Sequence, residues 1–232
     1  MSYSDKELYW IALAAVPGMT VKVLYTLVSM HENKEAFCKT YKNGGSIMGL
    51  NLEQRRAAFN NIVNIEELVD KMENAGVKAV VRGSEYYPPM LEEICDPPAV
   101  LFAKGELETL LSEDTFSIVG TRKSTRYGNE TARRIAMELA ENGVTIVSGM
   151  ARGIDSMANW GALQGKGKTI AVLGCGVDVV YPPENKELYE EIIKSAVVIS
   201  EYYLGTPANA HHFPIRNRII SGLSRGVLVV EA

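Results

Sequence analysis

From Phe116 to the end of the chain, short unbroken runs of Val and Ile alternate with stretches of helical periodicity. No other feature constrains the fold as much. The apolar runs are FSIVG, VTIVSG, TIAVLGCG, AVVISE and GVLVVEA. Strands that are apolar throughout are buried on both faces, so the pattern predicts an α/β fold with a parallel sheet and helices on each side. The helical stretches are NETARRIAMELAENG, IDSMANWGALQG, NKELYEEIIKS and PIRNRIISGLSR. The first lays Ala132, Ile135, Ala136, Leu139 and Ala140 along one stripe. Asn185 is the expected N-cap of the third, and Pro214 the expected first residue of the fourth.

In a sheet of this kind, ligands bind beyond the carboxyl ends of the strands. Those ends read GTRKSTRYG, SGMARGID, GCGVDVVYPPEN and SEYYLGTPANAHHFPIRNR. Glycines and small hydroxyls let backbone N–H groups close on a ligand, and helix N-termini add partial positive charge. Arg122, Lys123, Arg126, Arg152, Arg216 and Arg218 add full charges. The residue types therefore predict an anion site, with phosphate as the expected ligand.

Other chemistries fit poorly. GALQGKGKT approaches a P-loop, but Ala162 stands at the required first glycine and the order runs helix, loop, strand. GCGVDV begins like a dinucleotide fingerprint, yet Val179 replaces the third glycine and Tyr181-Pro182-Pro183 interrupts where a helix must start. Ser148 and Ser221 have no evident His/Asp partners in sequence. His211-His212 lacks companions at metal-ligand spacing and reads as a loop or stacking pair. Asp155 reads as a helix cap, and Asp178 as an acceptor that fixes its loop. Neither a cofactor nor a metal is expected, and no enzymatic step.

The first half of the chain reads differently. ELYWIALAAVPGM and VKVLYTLVSM are two helices parted at Pro17-Gly18; LEQRRAAFN and VNIEELVDKMENAG are two more, the last stopping at Gly76. VPGM is similar to a helix-hairpin-helix turn, although Thr20 stands where a second glycine is usual; a tight turn between packed helices is the plainer alternative. KAVVRG and VLFAKG read as short strands around a proline-rich connector, YYPPMLEEICDPPA. The expected units are residues 1–76, 77–115 and 116–232.

The chain is 47% hydrophobic and 22% charged, as a globular protein is, and no apolar run is long enough to span a bilayer. MSYSDKELYW lacks the parts of a signal peptide, which predicts the cytoplasm. Cys38, Cys95 and Cys175 are too few and too scattered for a disulfide framework or a zinc site. A net charge of −4 argues against indiscriminate nucleic-acid binding. Residues 1–115 carry 11 basic and 17 acidic side chains, residues 116–232 carry 13 and 11, so the half with the strand-end loops is the less acidic.

VGTRKST, SGMARGID, LGCGVDVVYPPEN, ISEY and HFPIRNRIISGLSRGVLVVEA, in this order, together resemble the DprA/Smf family of bacterial DNA-processing proteins. YYPPMLEEICDPPAVLFAKG is similar to the segment before that family's Rossmann-like domain, and the helical start to its sterile-alpha-motif-like, helix-hairpin-helix-like domain. The resemblance implies a protein that binds single-stranded DNA without marked sequence preference. It further implies loading of the RecA recombinase onto that DNA, protection of incoming DNA in natural transformation, and a dimer built through the Rossmann-like domain.

Carried onto this sequence, the family's DNA pocket falls on Gly120, Thr121 and Arg122, with Lys123, Ser124 and Arg126 beside them. Ser148, Gly149, Arg152 and Gly153 form a second wall. Phe213 takes the place of an aromatic that stacks on a base, followed by Arg216, Asn217 and Arg218. Phe213 as a core residue, and Asn217 and Arg218 as residues that hold their loop together, stay open as alternatives. Family members continue past VVEA, so dimer and RecA surfaces are expected to lie partly outside this sequence. The rival class is a phosphoribohydrolase of the same Rossmann-like superfamily, or a sensor of free nucleotides sharing the phosphate pocket.

Overall fold

The computed structural model of the protein describes residues 2–45 and 47–232. The chain begins with α1 (Asp5–Ala14), α2 (Val21–Met30), α3 (Lys34–Lys42), α4 (Leu52–Val63) and α5 (Ile65–Asn74). Their starts are written in the sequence. Ser4 with Glu7, and Asn51 with Gln54, close capping boxes on α1 and α4, and Thr20 and Asn33 cap α2 and α3 through side-chain oxygens. Gly18 takes φ +70°, the left-handed turn that parts α1 from α2. The sequence reading missed α3, although Asn33 gives its signal.

Next come β1 (Lys78–Val81), the one-turn α6 (Pro89–Glu92) and β2 (Val100–Gly105). The alternation then runs β3 (Thr115–Gly120), α7 (Arg126–Glu141), β4 (Thr145–Ser148), α8 (Ile154–Gln164), β5 (Thr169–Leu173), α9 (Lys186–Ser195), β6 (Val197–Ser200), α10 (His212–Gly222) and β7 (Val227–Val230). Among the described residues, the seven strands form one sheet in the order β1-β2-β6-β5-β4-β3-β7. The five strands of the alternation are parallel, as the apolar runs predict. The two connector strands extend the sheet antiparallel, β2 against β6 and β1 against β2. A parallel return needs a long crossover, usually a helix, whereas the prolines between β1 and β2 leave room for only one helical turn.

The sheet is covered on both faces. On one, α7 and α8 pack against it through Ile118, Ala132, Ala136, Ile146, Ile154 and Ala158. Farther along the sheet, Leu188 and Ile192 of α9 share one apolar cluster with Phe102, Leu173 and Val198 of the sheet and with Trp10, Leu13, Leu27 and Phe37 of the helical start. On the other, Ile219 and Ile220 of α10 and Leu91 of α6 meet Leu101, Val172 and Ile199. Helices α7 and α8 lie close because their facing positions are small: a Cβ on Gly161 would strike the backbone oxygen of Arg133 and the Cβ of Ala136. Tyrosine hydroxyls tie the helical start to the sheet region. Tyr3 accepts from the Ala79 amide at 2.8 Å, and Tyr25 and Tyr203 donate to the carbonyls of Pro97 and Leu68.

Two local expectations change. Helix α10 begins two residues early, so Pro214 is its third residue, still within the first turn where an amide has no helical acceptor. Asn185 does not cap α9; its side chain donates instead to the Met150 carbonyl at 2.9 Å, tying the loop before α9 to the end of β4.

Candidate nucleic-acid interface

From β3 the chain winds in one direction through β4, β5 and β6. It then crosses by α10 to β7 on the opposite side of β3. The carboxyl ends of β3 and β7 are therefore a topological switch point, where open α/β sheets carry their ligands. A groove of about 900 Å³ lies there.

The β3–α7 loop forms one side. Gly120 is obligatory because a Cβ would enter the Val230 carbonyl of the neighbouring strand. The loop is held both by Glu231, after β7, and by bonds within itself and α7. The Thr121 amide donates to the Glu231 carbonyl at 3.0 Å and the Thr125 amide to the Glu231 carboxylate at 2.9 Å. The Lys123 amide reaches Thr121 Oγ1. Thr125 Oγ1 caps α7 by accepting from the Gly128 amide at 3.0 Å. Ser124 donates to Asn129, and Arg126 pairs with Glu130 along α7. Arg122 and Lys123 are exposed, and among the described residues neither enters an ion pair.

The β4–α8 loop lies beneath. Ser148 is buried, with its hydroxyl donating to the Ile118 carbonyl at 2.7 Å. Gly153, at φ +76°, lets the loop pass against Thr121. Asp155 is more than a cap. Its carboxylate is buried at the ends of β3 and β4, where the backbone N–H groups of Gly120, Gly149 and Ala151 favour its ionised form. Burial raises its carboxyl above the usual range against the pull of Arg216. Arg152 stands outside, paired with Glu184.

Helix α10 supplies the floor. Arg216 is 4% exposed, and its Nη1 donates to the carbonyls of Gly149 and Val172. Gly149 has no side chain because the guanidinium occupies that space. Burial lowers the affinity of Arg216 for its proton, Asp155 opposes this, and Arg122 adds to it. Among the described residues, Arg216 Nε and Arg218 Nη1 are buried without partners. Arg218 holds Glu201 through Nη2 at 2.7 and 2.9 Å, and burial pushes the Glu201 carboxyl up.

Phe213 is half-buried. The Arg122 guanidinium lies 4.8 Å from its ring centroid and Tyr181 5.6 Å away. Gly174 lets the ring settle: a Cβ there would come within 3.1 Å of it. His212 stacks on Tyr202 at 3.9 Å and bonds the Gly174 carbonyl. Asp178 fixes its loop, as expected, by accepting from the Gly205 amide.

The structure thus gathers Gly120, Thr121, Arg122, Phe213, Arg216, Asn217 and Arg218 around one groove. Gly149 and Arg152 line a small cleft next to it that shares Arg122 and Phe213. Lys123, Ser124, Arg126, Ser148 and Gly153 line neither. The sequence reading missed Tyr181, whose signal was the YPP break after GCGVDVV, and Glu201 and Glu231, which lacked one.

A seven-stranded sheet covered by helices on both faces, with a groove at its switch point, defines an α/β protein of Rossmann-like type. The chain belongs to the DNA recombination-mediator protein A family, whose sequence model matches residues 78–232. It is 36% identical over 235 residues to Protein Smf of Synechocystis sp., which covers 99% of this chain but 59% of that protein. DNA processing protein A of Streptococcus pneumoniae superposes with a TM-score of 0.78 at 33% identity, over 100% of this chain and 79% of that one. DNA processing protein A of Helicobacter pylori, a protein with a described single-stranded DNA binding mode, gives a TM-score of 0.60 at 31% identity, over 66% of this chain and 68% of that one. The resemblance drawn from the motifs and the expected α/β fold are borne out, with the sheet mixed where a parallel one was expected.

Proposed function

We propose that the protein binds single-stranded DNA in this groove, without marked sequence preference, as a recombination mediator and not as an enzyme. The observation that carries the reading is the unpaired Arg122 guanidinium lying over Phe213, with Tyr181 beside the ring. A guanidinium over a ring keeps its edge N–H groups for phosphate oxygens, and its plane, like the rings, accepts any base by stacking. Lys123 extends the positive charge along the same loop. Arg216 and Arg218 shape the floor, their bonded sides held by Gly149, Val172 and Glu201 and their unpartnered N–H groups adding to the field. Ser124, Ser148 and Gly153 hold the loops, and Arg126 and Arg152 contribute charge at the rim. The single-stranded DNA binding described for the Helicobacter pylori relative supports the reading.

The finer roles implied by the family are part of the same proposal. The bound strand is handed to RecA, by a homodimer in the cytoplasm, and incoming DNA is protected during natural transformation.

The test is fluorescence anisotropy with labelled oligo-dT at two salt concentrations, with duplex DNA and a nucleoside monophosphate as competitors. Salt-sensitive binding that both competitors displace poorly is expected. Displacement by the monophosphate as readily as by unlabelled oligo-dT would make this a small-molecule site. RecA filament growth on a strand coated with single-strand-binding protein tests the handover: no acceleration would remove that role.

A further inference from the structure

Glu231, just past β7, grips the cationic loop at both ends. Its carbonyl accepts from the Thr121 amide at 3.0 Å; its carboxylate accepts from the Thr125 amide at 2.9 Å and from the Thr125 hydroxyl. Between those anchors lie Arg122 and Lys123. Two features show that the place is shaped for this carboxylate. Gly128, inside the first turn of α7, lacks the Cβ that would fall 2.5 Å from Glu231 Cδ. The Glu231 backbone sits at φ +57°, a left-handed conformation that residues other than glycine seldom adopt. The Thr125 bonds also hold the carboxyl below its usual range, so it is ionised at neutral pH. The start of α7, a natural phosphate seat, is thus filled by the protein's own anion.

Resting on the DNA-binding reading above, we propose that Glu231 is a positioning residue for single-stranded DNA. Its carboxylate, admitted by Gly128, clamps the Thr121–Thr125 loop so that Arg122 stays over Phe213 and faces the phosphate backbone. The opposite arrangement would be a carboxylate that must leave so that phosphate can take the end of α7. The two predict opposite signs.

The test uses Glu231→Ala, Glu231→Gln, Gly128→Ala and the double variant Gly128→Ala/Glu231→Ala, titrated with oligo-dT across salt. Glu231→Ala should weaken binding roughly tenfold, the size of one charge-assisted contact, and lower the salt slope by about one. Glu231→Gln should fall between it and the native protein. Gly128→Ala replaces a helical glycine by a better helix former, so the melting temperature should hold or rise while binding weakens. The double variant should bind no worse than Glu231→Ala alone, because the added Cβ then has no carboxylate to displace. A purely structural role predicts losses that follow melting temperature, and tight binding by Gly128→Ala would overturn the clamp. Native or tighter binding by Glu231→Ala would overturn it in favour of displacement by phosphate. Hydrogen exchange of the Thr125 amide, which the carboxylate holds, measured without DNA, separates the two layers. Unchanged protection in Glu231→Ala would overturn the clamp itself. Faster exchange there, in a protein whose native form ignores oligo-dT, would overturn the DNA role while leaving the clamp intact.

Discussion

Arg122 and Arg216 stand at the same groove in different circumstances, and their alanine variants should fail differently. Arg122 is exposed and unpaired, so Arg122→Ala should leave the melting temperature unchanged, weaken oligo-dT binding and reduce the salt slope by about one. Arg216 is buried with two carbonyls on its guanidinium and Asp155 within its field. Its removal should cost stability, roughly 3 kcal/mol or more in denaturant titration. Phe213→Ala removes the ring under Arg122 and should lose about 1–3 kcal/mol of strand binding in a protein that still folds. Equal stability losses for Arg122→Ala and Arg216→Ala would mean that the two arginines share one structural role. This difference was hidden in the sequence. HFPIRNR offers two arginines two residues apart, and only tertiary burial decides that one reaches into the sheet while the other holds Glu201.

Helix α7 carries the loop at its first turn and leans on α8 along its length. The contact depends on Gly161, where an added methyl would meet the Arg133 carbonyl and force the helices apart. Gly161→Ala should therefore cost about 1–3 kcal/mol of stability and also weaken oligo-dT binding, because the start of α7 moves with the helix. An unchanged melting temperature would show that the two helices can separate freely. Elements of this kind were largely legible: unbroken Val/Ile runs set the parallel strands, and the alanine stripe set the face of α7. Legibility failed where pairing is non-local. Nothing in KAVVRG or VLFAKG states that β2 joins β6 and β1 joins β2, because an antiparallel edge is chosen by the sheet it finds. The groove's position was legible for the same reason as the strands, since strand carboxyl ends must gather on one edge.

Across the whole molecule, one apolar cluster runs from the helical start through β2 and β6 to α9, so these parts should unfold together. A calorimetric scan should give one transition, and two resolved transitions would contradict the shared core. Acidification should weaken this unit. His31 and His212 are buried, and burial lowers both imidazoles below their ordinary value. A group of this kind binds fewer protons folded than unfolded, so the stability it contributes is present above about pH 6.5 and is lost as pH falls through the folded value. The melting temperature should drop between neutrality and pH 5, and His212→Gln should flatten that drop. A dependence identical in the variant would assign it to other groups. Asp155 and Glu201, with raised carboxyls, act with the opposite sign above the ordinary carboxylate range.

The arginine lying over Phe213 also bears on how fast a strand is captured. A free arginine side chain carries about 2 kcal/mol of rotamer entropy, and a ring beneath the guanidinium removes part of that freedom before any ligand arrives. An incoming strand then meets a surface already arranged. Association should be governed by diffusion and electrostatic steering, fast at low salt and slowing as salt rises, and not by a side-chain rearrangement after contact.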